Sequence, residues 1–290
     1  MGSDLYVPGV LKASGIARGD RVTVYSPNNI PLGSGVAMID SKTLHELKKK
    51  AHRGARLGVF VKLTEPMYKS VRVAELPGAR EGLVYGQSLP SMYVARLLDP
   101  RPGEKVIDLT AAPGGKVSHV AQLAGRDSVI VAVDRRSKVE RLRKTLETLG
   151  IDWVRVLGAD SRYLHVDHPS LQESFDKALL DPPCSNLGVI PKVMDERSHR
   201  DSRNLALYQY QLAKAASKLL RKNGLLAYSV CTLTYTEAEA QAQRIAEELG
   251  FEVLAPPKWA RKPLRTSHGL WFSPLHHGVT GFYISILKKK

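Results

Sequence analysis

The chain has 290 residues, of which 43% are hydrophobic and 24% charged, so it is long enough for two domains with a substantial core. No apolar run approaches the roughly 18 residues of a membrane helix, and no basic segment followed by an apolar one opens the chain; we therefore expect neither a membrane span nor a secretion signal. Two cysteines exclude a disulfide framework, which favours a cytoplasmic location.

The net charge is strongly positive, at +15 from 43 Lys and Arg against 28 Asp and Glu. An excess of this size favours a polyanionic partner, because cations that neutralise phosphates release bound counterions. A generally basic proteome or a solvated surface is the alternative. The charge favours a nucleic acid as the partner.

Residues 1–75 have the pattern of a small β-rich domain. Arg21 to Tyr25 alternates in polarity as a strand does, and Leu57 to Leu63 is a second strand candidate. Gly and Pro turns separate these short segments.

One helix is predicted in this region, from Ser41 to Ala51, and its C-terminal end is basic. The cations could be a solvated helix end, where they suit the helix dipole. With the overall charge, we favour a phosphate-contacting patch that binds RNA. Its predicted members are Lys48, Lys49, Lys50, Arg53 and Arg56.

A connector rich in Gly and Pro is predicted over residues 76–100, with a short helix from Ser91 to Leu98. Residues 101–290 then have the alternating pattern of an α/β domain with buried parallel strands. The predicted strands are 106–110, 128–133, 153–157, 178–180 and 225–230, with a late edge strand at 281–287, and the predicted helices are 138–149, 204–220 and 236–249.

The first strand of this domain opens into a small-residue loop, Ala111 to Lys116, and then a helix. Such a turn lets backbone N–H groups and a helix N-terminus approach a ligand. The spacing fits neither the Walker loop nor the dinucleotide G-x-G-x-x-G motif. By itself the glycine pair could serve helix–strand packing.

Acids follow the next two strands and support a cofactor site. Asp134 ends one strand nineteen residues beyond Gly115, where a carboxylate can accept both hydroxyls of a ribose. Asp160 follows the next strand and suits an adenine edge. Either could be a cap or turn residue, but their position after successive strands favours a nucleoside-containing cofactor.

Both cysteines follow predicted strands. Cys184 comes after Asp181-Pro182-Pro183, and Cys231 ends the strand that begins at Leu225. Enzymes that methylate base amines often carry an aromatic residue where Cys184 stands. A lone cysteine can be inert core filler. Adjacent parallel strands, however, would bring both thiols to one cleft.

Two thiols beside such a cofactor suit the alkylation of cytosine at C5. A thiolate that adds to C6 turns C5 into an enamine-like nucleophile, and a second group then assists loss of the C5 proton. The target base must leave its stack to be reached.

These segments resemble the Sun-family RNA cytosine-5 methyltransferases over residues 80–290. Asp108 to Lys116 is similar to the family's D-x-x-A-A-P-G-G-K, and Asp181 to Val189 to its D-P-P-C-S-x-L-G-V. Ser229 to Leu233 resembles its nucleophile segment; after it Glu237 and Glu239 keep the family's acids, whereas Tyr235 and Ala238 replace its Pro and Asn.

The resemblance implies a Rossmann-like domain that uses S-adenosylmethionine. It implies that Cys231 is the C6 nucleophile and that Cys184 aids product release. It further implies that Asp181 contacts the cytosine edge and that Lys116 supports the base or its developing charge. The implied cofactor-binding residues are Thr110, Ala111, Ala112, Pro113, Gly114, Gly115, Lys116, Asp134, Asp160 and Asp181.

Residues 5–75 resemble a PUA domain, through the segments Val7 to Val10 and Gly19 to Val22. This combination is similar to the tRNA methyltransferase branch that acts near the acceptor end, so we expect a monomeric, metal-free enzyme on tRNA. Two alternatives stay open at this point. They are a methyltransferase of nucleic-acid base amines and a non-catalytic RNA-binding or ribosome-assembly factor.

Overall fold

The computed structural model describes residues 4–49, 57–67, 73–190, 199–261 and 263–290. These residues form two compact units, one ending at Met67 and the other beginning at Val73. The limits predicted above, 1–75, 76–100 and 101–290, stay predictions. Lys50, Arg53 and Arg56 of the predicted basic patch lie outside the described residues.

The smaller unit is an antiparallel sheet with one helix. Its core is formed by Val7, Val10, Leu44, Phe60 and Val61, all at most 5% exposed. Leu44 comes from the helix, which therefore covers the sheet. The elements are β1 (Leu5–Tyr6), β2 (Arg21–Tyr25), β3 (Pro31–Ala37), α1 (Ser41–Lys49) and β4 (Val59–Pro66), and the strand order is β1-β4-β3-β2.

The larger unit alternates helices and strands, as the sequence predicts. Its helices are α2 (Leu89–Leu98), α3 (Gly115–Ala124), α4 (Arg136–Thr148), α5 (Leu164–Asp167), α6 (His199–Leu219), α7 (Glu239–Leu249) and α8 (Pro274–His277). Its strands are β5 (Lys105–Asp108), β6 (Val129–Asp134), β7 (Val154–Gly158), β8 (Phe175–Leu180), β9 (Leu220–Val230), β10 (Phe251–Val253), β11 (Leu264–Arg265), β12 (Leu270–Phe272) and β13 (Phe282–Lys289).

The sheet of this unit has the order β11-β12-β13-β9-β8-β5-β6-β7, with β10 paired to β13. Strands β9, β8, β5, β6 and β7 are parallel neighbours. From β5 the chain adds β6 and then β7 on one side, and it then crosses to the other side of β5 to form β8. This reversal places a crevice at the carboxyl ends of β5 and β8, where open α/β sheets bind ligands.

Two apolar layers cover the sheet. Val94 of α2, Val120 of α3 and Leu142 of α4 pack on one face, and Leu212 of α6 and Ile245 of α7 pack on the other. Burial on both faces explains the continuous apolar runs of the parallel strands. The order of elements and the fold class thus confirm the α/β prediction.

Two details of the sequence prediction are corrected. The strand predicted at the sheet edge, β13, lies inside the sheet, because β9 and β12 pair with it on opposite sides. The helix predicted from Thr236 begins at Glu239, since the preceding residues form the turn beside Cys231. No helix among the described residues is long and apolar enough to cross a membrane.

Candidate active site

A cavity of about 330 Å³ lies at the crevice between β5 and β8. It has two ends. The acidic end contains Thr110, Ala112, Asp134 and Asp160, and the thiol end contains Asp181, Cys184, Asn186 and Cys231. The other lining residues are Leu109, Arg135, Lys138, Ala159, Ser161, Pro182, Pro183, Tyr208 and Leu212.

The loop after β5 depends on a glycine for its shape. Gly114 precedes α3 with φ of +119°, a conformation that L side chains rarely adopt. A Cβ there would also lie 2.9 Å from Cγ2 of Thr145. The N-terminus of α3 can therefore begin at the crevice only because this position is glycine.

Two side chains anchor this loop to the sheet. Oδ1 of Asp108 accepts a hydrogen bond from the Thr110 backbone N–H at 3.0 Å, and Oγ1 of Thr110 accepts one from the Asp181 N–H at 2.9 Å. Burial raises the pKa of Asp108 to about 7, although the Thr110 N–H acts in the opposite direction. Thr110 thus joins the carboxyl ends of β5 and β8.

Asp134 lies at the end of β6 and shapes the loop as well as the cavity. Its Oδ2 accepts a hydrogen bond from the Ala112 N–H at 2.9 Å, and its Oδ1 accepts one from the Arg135 N–H at 2.8 Å. The ammonium of Lys138 lies 3.4 Å from Oδ1. Oδ2 has a second lone pair, so Asp134 retains an acceptor for ligand hydroxyls.

Asp160 is held by Arg162 in a two-pronged ion pair. Nε of Arg162 lies 3.0 Å from Oδ1, and Nη2 lies 2.6 Å from Oδ2. The guanidinium is also stacked near the rings of Tyr163 and Tyr208, at 5.2 and 5.0 Å from their centroids. The hydrogen bonds from Arg162 lower the pKa of Asp160.

Asp181 carries the polar contacts of the thiol end. Its Oδ2 lies 2.5 Å from the ammonium of Lys116, and its Oδ1 accepts a hydrogen bond from the Ser229 hydroxyl at 3.0 Å. Burial lowers the pKa of Lys116, but the charge of Asp181 and its hydrogen bond outweigh it, so the net shift is upward. Lys116 is therefore a cation that neutralises this carboxylate.

The two thiols face each other, with 3.3 Å between Sγ of Cys184 and Sγ of Cys231, and neither cysteine forms a disulfide. Oδ1 of Asn186 lies within hydrogen-bond distance of both thiols, at 2.8 Å from Sγ of Cys231 and 3.3 Å from Sγ of Cys184. Cys184 is only 7% exposed, whereas Cys231 is half-buried. Of the two, Cys231 is the more accessible.

The pair favours ionisation of Cys231. The hydrogen bond from Cys184 lowers the pKa of Cys231, against the effect of burial and of Asp181, and the Lys116 charge adds to the lowering. The same hydrogen bond, together with burial, raises the pKa of Cys184. Of the two thiols, Cys231 is therefore the one that loses its proton more readily.

The structure brings most of the predicted site residues together and adds others. Ala111, Pro113, Gly114, Gly115 and Lys116 support the cavity without lining it. Asn186 falls on a variable position of the motif, and nothing in the sequence pointed to it. Arg162 and Tyr208 lie outside the motifs, and nothing in the sequence pointed to them either. The catalytic and binding roles of the predicted residues stay predictions.

In the basic patch, only Lys48 and Lys49 are described. The Lys48 ammonium donates to the carbonyl of Val10, so it has a partner within the smaller unit. Lys49 is exposed. Within the described ranges no group of three or more His, Cys, Asp or Glu side chains is placed to hold a metal.

The sheet order, the cavity at its switch point and the acids beyond β6 and β7 define a Rossmann-like methyltransferase that uses S-adenosylmethionine. Residues 95–288 match the family described as 16S rRNA methyltransferase RsmB/F, and residues 1–55 match the PUA domain. The chain belongs to the RsmB/F family and carries an N-terminal PUA domain.

Two relatives within this family align with most of the chain. The tRNA (cytosine(72)-C(5))-methyltransferase of Pyrococcus horikoshii is 36% identical over 99% of the chain and 72% of the relative. Human tRNA (cytosine(72)-C(5))-methyltransferase NSUN6 is 33% identical over 83% of the chain, which spans 55% of that protein.

A solved structure supports the same assignment. The crystal structure of NSun6 from Pyrococcus horikoshii with SFG, an analogue of S-adenosylmethionine, superposes with a TM-score of 0.83 and 35% identity. The match covers 99% of the chain and 72% of that structure. The predicted family, fold class, cofactor and class of enzyme, an RNA cytosine-5 methyltransferase, are confirmed.

Proposed function

We propose that the protein methylates C5 of a cytosine in tRNA, near the acceptor end, through a covalent bond between Cys231 and C6 of the base. The observation that carries the proposal is the pair of thiols 3.3 Å apart in one cavity with Asp134, Asp160 and Asp181. The names of the two relatives above support the same reaction and the same substrate.

S-adenosylmethionine would bind along the loop from Thr110 to Lys116. Its ribose hydroxyls and adenine amine are donors, so the carboxylates of Asp134 and Asp160 fit them as acceptors. When bound, it supplies an electrophilic methyl group. Asp181 lines the thiol end, and its backbone N–H donates to Oγ1 of Thr110 at the acidic end, so its side chain can contact both the cofactor side and the cytosine edge.

In the first step Cys231 attacks as a thiolate. A sulfur electron pair forms the bond to C6, and the C5–C6 π electrons make C5 nucleophilic, so that C5 takes the methyl group. Lys116 compensates the negative charge that develops on the base and holds Asp181 by their ion pair. A base amine acceptor would need neither thiol.

In the second step Cys184 acts as the base. Once Cys231 is bonded to carbon, its charge and hydrogen bond no longer raise the pKa of Cys184, so Cys184 can give its proton to solvent. The thiolate then removes the C5 proton, the C5–H electrons restore the double bond, and the C6–sulfur bond breaks. Cys231 leaves as thiolate, and one proton is released overall.

A Cys184→Ser variant tests this function. Attack by Cys231 survives the change while proton removal fails, so we expect a protein–RNA adduct that resists denaturing gels when tRNA and S-adenosylmethionine are present. The adduct band on the gel and 5-methylcytosine in digested tRNA are the two measurements.

The matched control is the double variant Cys184→Ser with Cys231→Ala, which should form no adduct. Cys231→Ala alone should reduce methyl transfer by at least about 10³-fold. If Cys184→Ser forms no adduct although it binds both tRNA and cofactor, or if Cys231→Ala methylates normally, the proposed covalent mechanism is wrong.

We also propose that the basic end of α1 contacts RNA phosphates. Changing Lys48, Lys49 and Lys50 to Ala should weaken tRNA binding and flatten its salt dependence by about one unit per lost contact. Exchange of Lys214, Lys218 and Lys222 to Ala removes equal charge from exposed positions of the larger unit and serves as control. Equal salt slopes for the wild type and the patch variant would contradict the proposal.

We further infer that the protein works as a cytoplasmic monomer. Its two neighbouring thiols without a disulfide suit a reducing compartment, and its positive charge suits a polyanionic substrate. Sedimentation of the purified protein checks the oligomeric state, and a stable dimer would overturn it. Fractionation of the source cells checks the compartment, and recovery of the protein outside the cytoplasm would overturn it.

A further inference from the structure

A buried carboxyl group lies next to the thiol end, outside the cavity. Glu237 is 0% exposed and precedes α7 in the segment that follows Cys231. The proposed reaction gives it no part. A carboxyl buried this completely must be well supplied with hydrogen bonds, because its desolvation is costly.

Glu237 accepts hydrogen bonds on both oxygens. Its Oε2 accepts from the Ser185 backbone N–H at 2.8 Å and from Nε2 of Gln209 at 3.1 Å. Its Oε1 accepts from the hydroxyls of Ser202 at 2.8 Å and Thr234 at 2.9 Å. Four donors, two to each oxygen, match the acceptor capacity of a carboxylate.

The donors come from three separate parts of the chain. Ser185 is the neighbour of Cys184, Thr234 belongs to the segment after Cys231, and Ser202 and Gln209 are on α6. Because one side chain contacts all three, it joins the two thiol loops to each other and to a long helix.

Gln209 strengthens this connection. Its Nε2 also donates to the carbonyl of Pro183 at 3.0 Å, and its Oε1 accepts from the Tyr228 hydroxyl at 2.9 Å. The Tyr228 hydroxyl lies 2.6 Å from the carbonyl of Glu237 as well. These contacts fix the orientation of the Gln209 amide, so its nitrogen faces Oε2 of Glu237.

We propose that Glu237 is a positioning residue that sets the separation of the two thiols by tying the Cys184 loop to the Cys231 loop. It touches no reacting atom. The inference rests on the proposed function for its catalytic meaning, but the geometric part concerns the protein alone.

The test uses phenylarsine oxide, which bridges two neighbouring thiols. Each molecule forms two As–S bonds, takes up both thiol protons and releases one water, so its affinity reports how close the two sulfurs stay. Neither RNA nor cofactor is needed. The arsenical test can therefore fail while methylation of tRNA by the wild type stands, and the reverse can also occur.

The two variants for the test are Glu237→Met and Glu237→Gln. Met removes every acceptor, so we expect arsenical binding to weaken about tenfold and kcat for tRNA to fall about hundredfold. Gln should stay within about threefold on both measures. Its oxygen can still face the Ser185 N–H and Gln209, while the two hydroxyls can rotate to accept from its nitrogen.

Glu239→Met is the matched control. Glu239 is 8% exposed, and it pairs with Nε1 of Trp271 at 3.0 Å rather than with either thiol loop. The Glu239→Met variant should be less stable than the wild type but bind the arsenical with the same affinity. If Glu237→Met fails to fold, Gln209→Met removes the links to Pro183 and Glu237 and should weaken arsenical binding about threefold.

Two results would overturn the proposal. One is a folded Glu237→Met, or the replacement Gln209→Met, that binds the arsenical as tightly as the wild type. The other is equal weakening in Glu239→Met, which would show that any loss of a buried acid near α7 loosens the thiols.

Discussion

The two ends of the cavity are built by different means. At the acidic end, Asp134 is the last residue of β6 and Asp160 lies two residues after β7. The loop after β5 is shaped by hydrogen bonds from its backbone N–H groups to nearby Asp side chains and by one glycine. At the thiol end, Cys184 and Cys231 stand 47 residues apart in the chain and meet at 3.3 Å. Buried side chains, above all Glu237, connect the two loops that carry them.

The difference indicates how each end responds to change. The acidic end should be sensitive to backbone conformation and tolerant of lost side-chain partners. The thiol end should be sensitive to buried hydrogen bonds, because a donor left without its acceptor costs more than the bond itself contributed. Substitutions at the acidic end test this contrast when both cofactor affinity and arsenical affinity are measured.

The largest effect at the acidic end is expected from Gly114→Ala. The positive φ and the short distance to Thr145 force the loop to shift, at a cost of about 1–3 kcal/mol. We expect S-adenosylmethionine affinity, measured by calorimetry, to weaken about thirtyfold. Arsenical affinity should stay unchanged, because the thiols lie within hydrogen-bond distance of each other and of Asn186, and neither of these contacts depends on Gly114.

Gly125→Ala is the matched control, since Gly125 has φ of +75° at the other end of α3 with no atom near its Cβ position. It should strain the backbone without affecting cofactor affinity. Loss of arsenical binding in Gly114→Ala would show that the two ends are not independent.

A smaller effect is expected from Arg162→Met. Asp160 loses the partner that lowers its pKa and fixes its orientation, so cofactor affinity should fall about fivefold at neutral pH. The lowered pKa keeps the carboxylate ionised until the pH falls below the usual Asp range. In the variant the pKa of Asp160 returns to the usual Asp range. As the pH is lowered, the variant should therefore begin to lose cofactor affinity earlier than the wild type, between about pH 5 and 4.

Arg244→Met is the control for this exchange, because Arg244 pairs with Glu248 at 3.1 Å and lies 3.9 Å from the Tyr210 ring centroid, on the surface of α7. It should leave the affinity and its pH profile unchanged. Identical pH profiles for Arg162→Met and the wild type would assign Arg162 a purely local structural role.

Most of the fold could be predicted from the chain, because strands buried on both faces read as apolar runs and helices as amphipathic segments. Arg21 to Tyr25 is a strand within the same limits, and the helix that begins at Ser41 was also expected. Strand β3 was not predicted, since its glycines Gly33 and Gly35 break the alternation. They are required because a Cβ at Gly35 would lie 2.2 Å from the Lys62 carbonyl oxygen.

In the candidate site, the predicted residues were those that carry a recognisable chemical type after a strand. The supporting residues were not predictable in this way. Tyr208 reaches the Arg162 guanidinium only through the packing of α6 on the sheet. Arg162 is only two residues from Asp160, but nothing in the local pattern distinguishes it from the other arginines, and Asn186 is one polar residue among many in a loop.

The sequence by itself determined the class of chemistry, because a thiol, a small-residue loop and acids must each follow a strand for the reaction to occur, and those positions are local properties of the chain. The tertiary structure alone decided that Cys184 and Cys231 are in contact, that Cys231 ionises more readily than Cys184, and that Glu237 accepts hydrogen bonds from both loops. The reason is that these properties depend on distances between residues far apart in the chain, which are set when the strands pair and the helices cover them.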